Sequence, residues 1–132
     1  MAKRTKSLIP SEKQIHTNVC EYLRINYPDL IFTSDPSGIR SSMGVIMDVQ
    51  RKVSKHKIPD LLIFEPNSQY SAAFFEIKRS IGDLYLKSGK LKNDHVKAQQ
   101  QTIDLLLSKG YFATFTIGFE GTIQTIEKYL NT

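Results

Sequence analysis

Two acidic residues in the middle of the chain have the types and spacing needed to share a cation. Apolar runs at residues 60–65 and 70–78 are separated by the turn-forming residues 66–69, which predicts an antiparallel hairpin. If the turn is centred on Ser68, Asp60 faces Glu76 across the hairpin. Directly opposed residues have Cβ atoms about 4.5–5.5 Å apart, and like charges at that distance destabilise a sheet unless something lies between them.

A divalent cation between these two residues would remove the repulsion. Two carboxylates, the backbone carbonyl of Ile77 and water are suitable ligands for Mg²⁺. Lys78 follows Glu76 by two residues and therefore lies on the same face, where it could orient an activated water and offset charge developing on a phosphate. An alternative remains open, in which Asp60 only begins a strand after a proline and Glu76 pairs with Lys78 as a salt bridge.

A third acidic residue lies on the first predicted helix. Helical periodicity places Glu12 within the arc of Ile15, Val19 and Leu23, so we expect this glutamate to face the core. The alternative is a first-turn glutamate that is favoured by the helix dipole alone.

Two glutamines lie on an otherwise apolar face of the third predicted helix. Gln99 and Gln100 fall beside Val96 and Ile103, where an ordinary core helix would carry leucine or alanine. Either one taken singly is also explained as a polar residue at the edge of the helix.

The remaining pattern predicts the elements that position these residues. Helices are predicted at residues 11–26, 43–54, 94–108 and 122–130, strands at 30–33, 60–65, 70–78 and 111–116, a turn at 118–121, and a small surface hairpin at 83–92. Third-helix residues Val96, Ile103, Leu106 and Leu107 are predicted to face the core. Because both faces of the 70–78 strand are apolar, we predict one three-layer α/β domain with a mixed sheet between helices, in the order α-β-α-ββ-α-β-α.

Composition limits the class of protein. The chain has 132 residues, which suits one domain at 11–132 preceded by a basic arm at 1–10, and its net charge of +5 permits a polyanionic partner. A single cysteine and three scattered histidines give neither a disulfide nor zinc-ligand spacing. The longest apolar run has four residues, too short for a membrane span or a signal peptide, so we expect a cytoplasmic location.

The ordered set of polar residues resembles the PD-(D/E)xK nuclease core, and within it the VRR-NUC family. The resemblance extends over nearly the whole chain from residue 11 to residue 130. It is carried by Glu12, Ser37-Gly38-Ile39-Arg40, Pro59-Asp60-Leu61, Glu76-Ile77-Lys78-Arg79, and Gln99 eleven residues before Gly110. That spacing favours Gln99 over Gln100. The chain departs from the family at Lys57, where a glycine is usual, and in the longer stretch 80–96.

The resemblance implies hydrolysis of DNA phosphodiester bonds with Mg²⁺ or Mn²⁺. Asp60, Glu76 and the Ile77 carbonyl would hold the metal, and Glu12 would act directly or through water. Lys78 would position the attacking water, and Gln99 would orient the lysine or the water. The family further implies a small homodimeric enzyme that is selective for branched DNA such as Holliday junctions, in a bacterial or phage-infected cell.

Basic residues cluster in sequence around the predicted acids, where they would contact phosphates. These candidates for DNA binding are Arg40, Arg51, Lys52, Lys55, Lys57 and Arg79. For any single one of them, a solvated basic face is the better explanation. Two competing functions are a non-catalytic DNA-binding module with the same fold and, less favoured, a small-molecule α/β enzyme, since no glycine-rich phosphate loop follows a predicted strand.

Overall fold

A four-stranded mixed sheet with helices on both faces forms the body of the protein in a computed structural model. The structure describes residues 9–35 and 42–132. Its elements are α1 (Glu12–Asn26), β1 (Phe32–Ser34), α2 (Met43–Arg51), β2 (Leu61–Ile63), β3 (Ala73–Lys78), α3 (Asp94–Ser108), β4 (Phe112–Ile117) and α4 (Gly118–Leu130). The predicted fold class and order of elements are confirmed. No helix within these described ranges is long and apolar enough to cross a membrane.

Side-chain caps define where the two longest helices begin. The hydroxyl of Ser11 accepts a hydrogen bond from the Gln14 amide at 3.1 Å, as the sequence predicts for α1. At the start of α3, Asn93 Oδ1 accepts a hydrogen bond from the Val96 amide at 3.0 Å. Gly110 follows α3 with φ 91°, the left-handed conformation that lets the chain turn into β4.

The register of the central hairpin is the predicted one. The sheet order is β1-β2-β3-β4, in which β2 is antiparallel to both β1 and β3, and β4 is parallel to β3. Leu61 pairs with Phe75 and Ile63 with Ala73, as expected for a turn centred on Ser68. The strands are shorter than predicted because Asn67 organises the intervening loop, accepting hydrogen bonds from the amides of residues 69 and 70 at 2.9 and 2.8 Å.

The alternating side chains of β3 serve two different layers. Ala73, Phe75 and Ile77 are almost fully buried in one cluster with α1 and α4. Side chains with even numbers point to the opposite face, where α3 packs against β4 beside them. Glu76 and Lys78 are on that second face, buried although polar. The apolar core therefore packs against one face of β3, and the buried polar side chains lie on the other face.

Two helix predictions are wrong in their boundaries. The structure has no turn at residues 118–121, because Gly118 with φ 68° lets the chain pass directly from β4 into α4. The second helix ends at Arg51 rather than near residue 54, and none of its residues is buried.

The predicted core face of α3 is wrong at one end. Leu107 is exposed, while Thr102 is buried in the turn before it. At the start of the chain, the first strand begins at Phe32 rather than residue 30. The small surface hairpin predicted at 83–92 is present as an isolated bridge between Tyr85 and Leu91.

The N-cap of α3 provides a direct test of how the helix is held. Asn93→Ala removes the side-chain acceptor for the Val96 amide and is expected to lower the free energy of unfolding by about 1 kcal/mol. Asn93→Ser keeps a capping oxygen and should restore most of that loss. Chemical denaturation followed by circular dichroism measures both variants, and equal stabilities would show that the cap is unimportant.

Candidate active site

The predicted acids and lysine meet where β2 begins and β3 ends. Continuing the β2–β3 register by one residue brings Asp60 opposite Glu76, so the predicted pair is adjacent in the folded chain. Glu76 and Lys78 are only 5% and 6% exposed, on the face toward α3. Burial of two polar side chains at one strand end is the feature that an ordinary sheet lacks.

Pro59 and Asp60 together leave the Ile77 backbone facing the site. Asp60 Oδ2 accepts a hydrogen bond from the Ile77 amide at 2.8 Å. The amide and carbonyl of one strand residue point to the same side, so the Ile77 carbonyl also faces the Asp60 edge. The same register brings Pro59 opposite Ile77, and a proline has no N–H to donate to that carbonyl. A carbonyl oxygen is thus directed beside the two carboxyl groups.

Gln99 reaches the site from α3. Its Nε2 donates a hydrogen bond to Glu76 Oε1 at 2.7 Å, and the residue is 6% exposed. Among the described residues, its buried Oε1 has no hydrogen-bond partner. Gln100 points elsewhere and donates to Asp104 at 2.8 Å. Of the two glutamines, the structure therefore brings Gln99 to the acids, leaving one buried acceptor beside them.

The surroundings of Glu76 disfavour the ionised form of its carboxyl. The pKa of the Glu76 carboxyl is raised to about 9, first by burial and then by the charge of Asp60 and a side-chain hydrogen bond with Asp60, against a smaller lowering by Lys78. Within residues 9–35 and 42–132, no carboxylate forms an ion pair with Lys78. Its Nζ lies 6.0 Å from the centre of the Phe115 ring. The alternative in which Glu76 and Lys78 form a salt bridge is therefore not observed.

Glu12 lies at the edge of the site rather than in the core, so that part of the prediction is wrong. The residue is exposed, because it is the first residue of α1 and the apolar arc begins at Ile15. Partial burial of its carboxyl raises the pKa; Lys78 lowers it, and Asp60 raises it again. These interactions place the Glu12 carboxyl within electrostatic reach of the central residues.

A divalent oxygen-preferring cation fits this set of donors. In the part of the chain that the structure describes, no three acidic, histidine or cysteine side chains form a metal cage. Mg²⁺ does not require one, since it keeps several waters and is bound through one or two carboxylates. Asp60, Glu76 and the Ile77 carbonyl supply such a set, and the unpartnered Gln99 oxygen adds an acceptor next to it.

His95 is a neighbour of the site that the sequence analysis did not select. It lies in the first turn of α3, four residues before Gln99 and hence on the same helix face. Partial burial lowers its pKa, Lys57 and Lys78 lower it further, and Asp60 opposes them. The i, i+4 spacing from Gln99 is the sequence signal that would have identified it.

Two of the six predicted DNA-binding residues have a structural link to the site. Lys57 interacts electrostatically with His95, and Arg79 does so with Glu12. Arg51, Lys52 and Lys55 are exposed, and Lys52 pairs with Asp48 at 2.8 Å. Arg40 and the surrounding turn lie outside the described residues, as do residues 1–8 of the predicted basic arm.

A mixed sheet between helices, with Asp, Glu and Lys at one strand end, defines a nuclease-like fold. A solved structure described as a VRR_NUC domain protein has this fold, with a TM-score of 0.64 and 20% identity over 92% of this chain and 89% of that one. No protein-family model matches the sequence, and no curated protein matches it either. The resemblance predicted from the residues is therefore confirmed at the level of the fold.

The pKa of Glu76 predicts how the stability of the metal-free protein depends on pH. A carboxyl whose pKa rises from 4.5 to about 9 on folding stabilises the fold below pH 4.5, and this contribution is lost as the pH rises through about 9. In EDTA we expect the melting temperature to fall across this interval. Glu76→Gln should flatten the slope, whereas the exposed control Glu120→Gln should not. Identical slopes in both variants would contradict this prediction.

Proposed function

We propose that this protein is a member of the VRR-NUC family and hydrolyses DNA phosphodiester bonds with the help of Mg²⁺. The observation that carries the proposal is the pairing of the half-buried Asp60 with the buried Glu76, joined by Lys78 and Gln99, in a chain with the fold of a VRR_NUC domain protein. The fold alone is shared by the competing class of non-catalytic DNA-binding modules. The chemical set at the strand end favours an enzyme.

In this proposal, Asp60, Glu76 and the Ile77 carbonyl hold the cation, and Glu12 contributes through water. Mn²⁺ is expected to substitute, since it also accepts carboxylate, carbonyl and water ligands. The cation supplies Lewis-acid polarisation of a phosphate oxygen and lowers the pKa of water. The support from this chain is the raised pKa of Glu76, about 9 when no cation is present, which comes first from burial of the carboxyl and then from the charge of the neighbouring Asp60.

Lys78 orients the attacking water and offsets the charge that develops on the phosphate. Its support is that the side chain is buried beside the acids, yet no carboxylate among the described residues pairs with it. A buried cation without an ion-pair partner is costly and is retained where it meets an anion during function. Gln99 fixes the orientation of Glu76 through its hydrogen bond and is a positioning residue.

Phosphate contacts supply the affinity for DNA. Lys57 and Arg79 interact with residues of the site and are exposed, so they are the first candidates to bind the strand that is cut. Arg40, Arg51, Lys52 and Lys55 extend this set to flanking phosphates. Affinity that comes from such contacts falls with salt, by a slope of about 0.9 per neutralised phosphate in a logarithmic plot.

We further propose that the enzyme is a homodimer that cuts branched DNA. One domain of this size offers one site, and symmetric cleavage of a four-way junction needs two. The support for dimerisation is α2, which has no buried residue and exposes Met43, Val45 and Met47 to 70%, 51% and 46%. Met43 and Met47 lie one turn apart on the same face of this helix, and exposed apolar side chains so placed are suited to contact with a second copy of the chain.

Active-site variants test the catalytic proposal. Asp60→Asn and Lys78→Ala should each reduce Mg²⁺-dependent cleavage of labelled DNA by at least about a hundredfold, because the first weakens the proposed cation site and the second removes the positive charge that offsets charge on the phosphate. Folding and DNA binding in EDTA should be nearly unchanged. Lys109→Ala, a distant exposed lysine, is the matched control for lost charge.

The choice of substrate separates the competing functions. We expect wild-type protein to cut a four-way junction more efficiently than a linear duplex with the same arms, with Mg²⁺ and not with EDTA. Binding without cleavage under all these conditions would support the non-catalytic module. Mg²⁺-dependent cleavage that persists in both Asp60→Asn and Lys78→Ala would exclude the assigned site.

Dimerisation through α2 has its own measurement. Met43→Glu combined with Met47→Glu places two charges one helical turn apart on the exposed face and should convert a dimer to a monomer in sedimentation velocity. Ile25→Glu, on the equally exposed end of α1, is the control. A dimer that withstands the double substitution would place the interface elsewhere.

A further inference from the structure

The connection between β3 and α3 is folded rather than irregular. A short 3₁₀ helix at Ile81–Asp83 leads into a hairpin, in which Tyr85 pairs with Leu91 and the Leu86 amide donates to the Lys90 carbonyl at 2.8 Å. The turn closes where the Gly89 amide donates to the Leu86 carbonyl at 2.9 Å, with Gly89 at φ 86°. Residues 84–92 are called the hairpin below.

The hairpin is anchored at its base and adjoins the active site. Leu84 is 4% exposed, and its carbonyl accepts a hydrogen bond from the Lys92 amide at 2.9 Å. Lys92 also pairs with Asp83 at 3.6 Å. Asp83 contributes to the raised pKa of Glu12, so the base of the hairpin lies within electrostatic reach of that residue. The hairpin is therefore a fixed projection beside the candidate active site.

The projecting part of the hairpin combines apolar and basic side chains. Tyr85 and Leu86 are 41% and 49% exposed, next to the exposed Lys87 and Lys90. Residues 84–92 contain three lysines and no acidic residue. A single exposed leucine is ordinary on a protein surface, but an exposed tyrosine and an exposed leucine next to each other in a hydrogen-bonded basic hairpin are less so.

Nucleic acid with exposed base faces matches both the apolar and the basic side chains of this surface. Lysines bind phosphates, aromatic side chains stack on unpaired bases, and aliphatic wedges insert between base steps. A second copy of this hairpin fits less well, since residues 84–92 contain no acidic residue to pair with the lysines in a symmetric contact. An intact duplex offers phosphates to the lysines but keeps its base faces stacked.

We propose that the hairpin binds the branch point of a DNA junction, with Lys87 and Lys90 on the phosphates and with Tyr85 and Leu86 against bases that are unstacked there. This inference rests on the proposed function and adds the element that selects branched over linear DNA. The hairpin follows Lys78 and Arg79 after the short 3₁₀ helix at Ile81–Asp83, so binding at the branch point would position the strand to be cut near the active site.

The test compares two double variants of the full chain with matched controls. Tyr85→Ala with Leu86→Ala removes the apolar pair, and Ile25→Ala with Leu105→Ala removes two exposed apolar side chains elsewhere. Lys87→Ala with Lys90→Ala removes two charges, and Lys109→Ala with Lys128→Ala removes two charges elsewhere. Affinity for a four-way junction and for a linear duplex is measured in EDTA, with 2-aminopurine at the branch point reporting unstacking.

The two variants should fail in different ways. Loss of the apolar pair should weaken junction binding about tenfold, leave duplex binding within about twofold, and abolish the rise in 2-aminopurine fluorescence that wild-type protein causes. Loss of the two lysines should weaken binding to both forms and reduce the salt slope by about 2. The control variants should behave as wild type in every measurement.

Several results would overturn the proposal. Junction affinity that is unchanged by the apolar substitutions would do so, as would the absence of any fluorescence change with wild-type protein. A loss of dimer on removing Tyr85 and Leu86, measured by sedimentation, would assign the hairpin to a protein interface. If wild-type protein cuts DNA and these variants cut junctions equally well, only the hairpin proposal fails; if wild-type protein neither binds nor cuts DNA, the proposed function fails.

Discussion

The opposition of Asp60 and Glu76 is the constraint on which the rest of the site depends. The β2–β3 register brings together two carboxyl groups that repel each other when both are ionised, and burial makes the repulsion stronger. Gln99 donates to one carboxyl and the Ile77 amide donates to the other. Each donor reduces the electrostatic repulsion without neutralising the pair, and a proton on Glu76 removes what is left of it.

That constraint explains why the two faces of β3 differ so sharply. On the odd-numbered face, Phe75 and Ile77 pack into the core with α1 and α4, which fixes the strand. On the even-numbered face, the same strand presents Glu76 and Lys78 toward α3. A shift of register by one residue would exchange the two faces and bury apolar side chains where the acids now lie. The stability of the core is thus what keeps the site correctly assembled.

The sequence predicts this part of the molecule well. Side chains alternate between the two faces of a strand, and the turn residues at 66–69 are recognisable, so only a few registers of the hairpin are possible. The pairing of Leu61 with Phe75, the cap at Ser11 and the selection of Gln99 follow from such local rules. Glu12 was wrongly predicted to face the core because helical periodicity gives the direction of a side chain along α1. It does not show whether the core extends as far as the first turn of that helix. His95 was missed for a related reason, since its relation to Lys57 and Asp60 exists only after α3 has docked.

The distribution of charge around the site connects its stability with its proposed chemistry. Burial and the charge of Asp60 favour the protonated form of Glu76, and burial together with Lys57 and Lys78 favours the neutral form of His95. Without a cation, both groups are therefore biased toward their uncharged forms, the carboxyl holding a proton and the imidazole lacking one. A cation bound between the carboxyl groups would displace the proton from Glu76, so proton release should accompany metal binding. Metal affinity would then depend on pH through this carboxyl pair. The core on the opposite face of β3 would keep the two carboxyl groups in place while a cation replaces the proton.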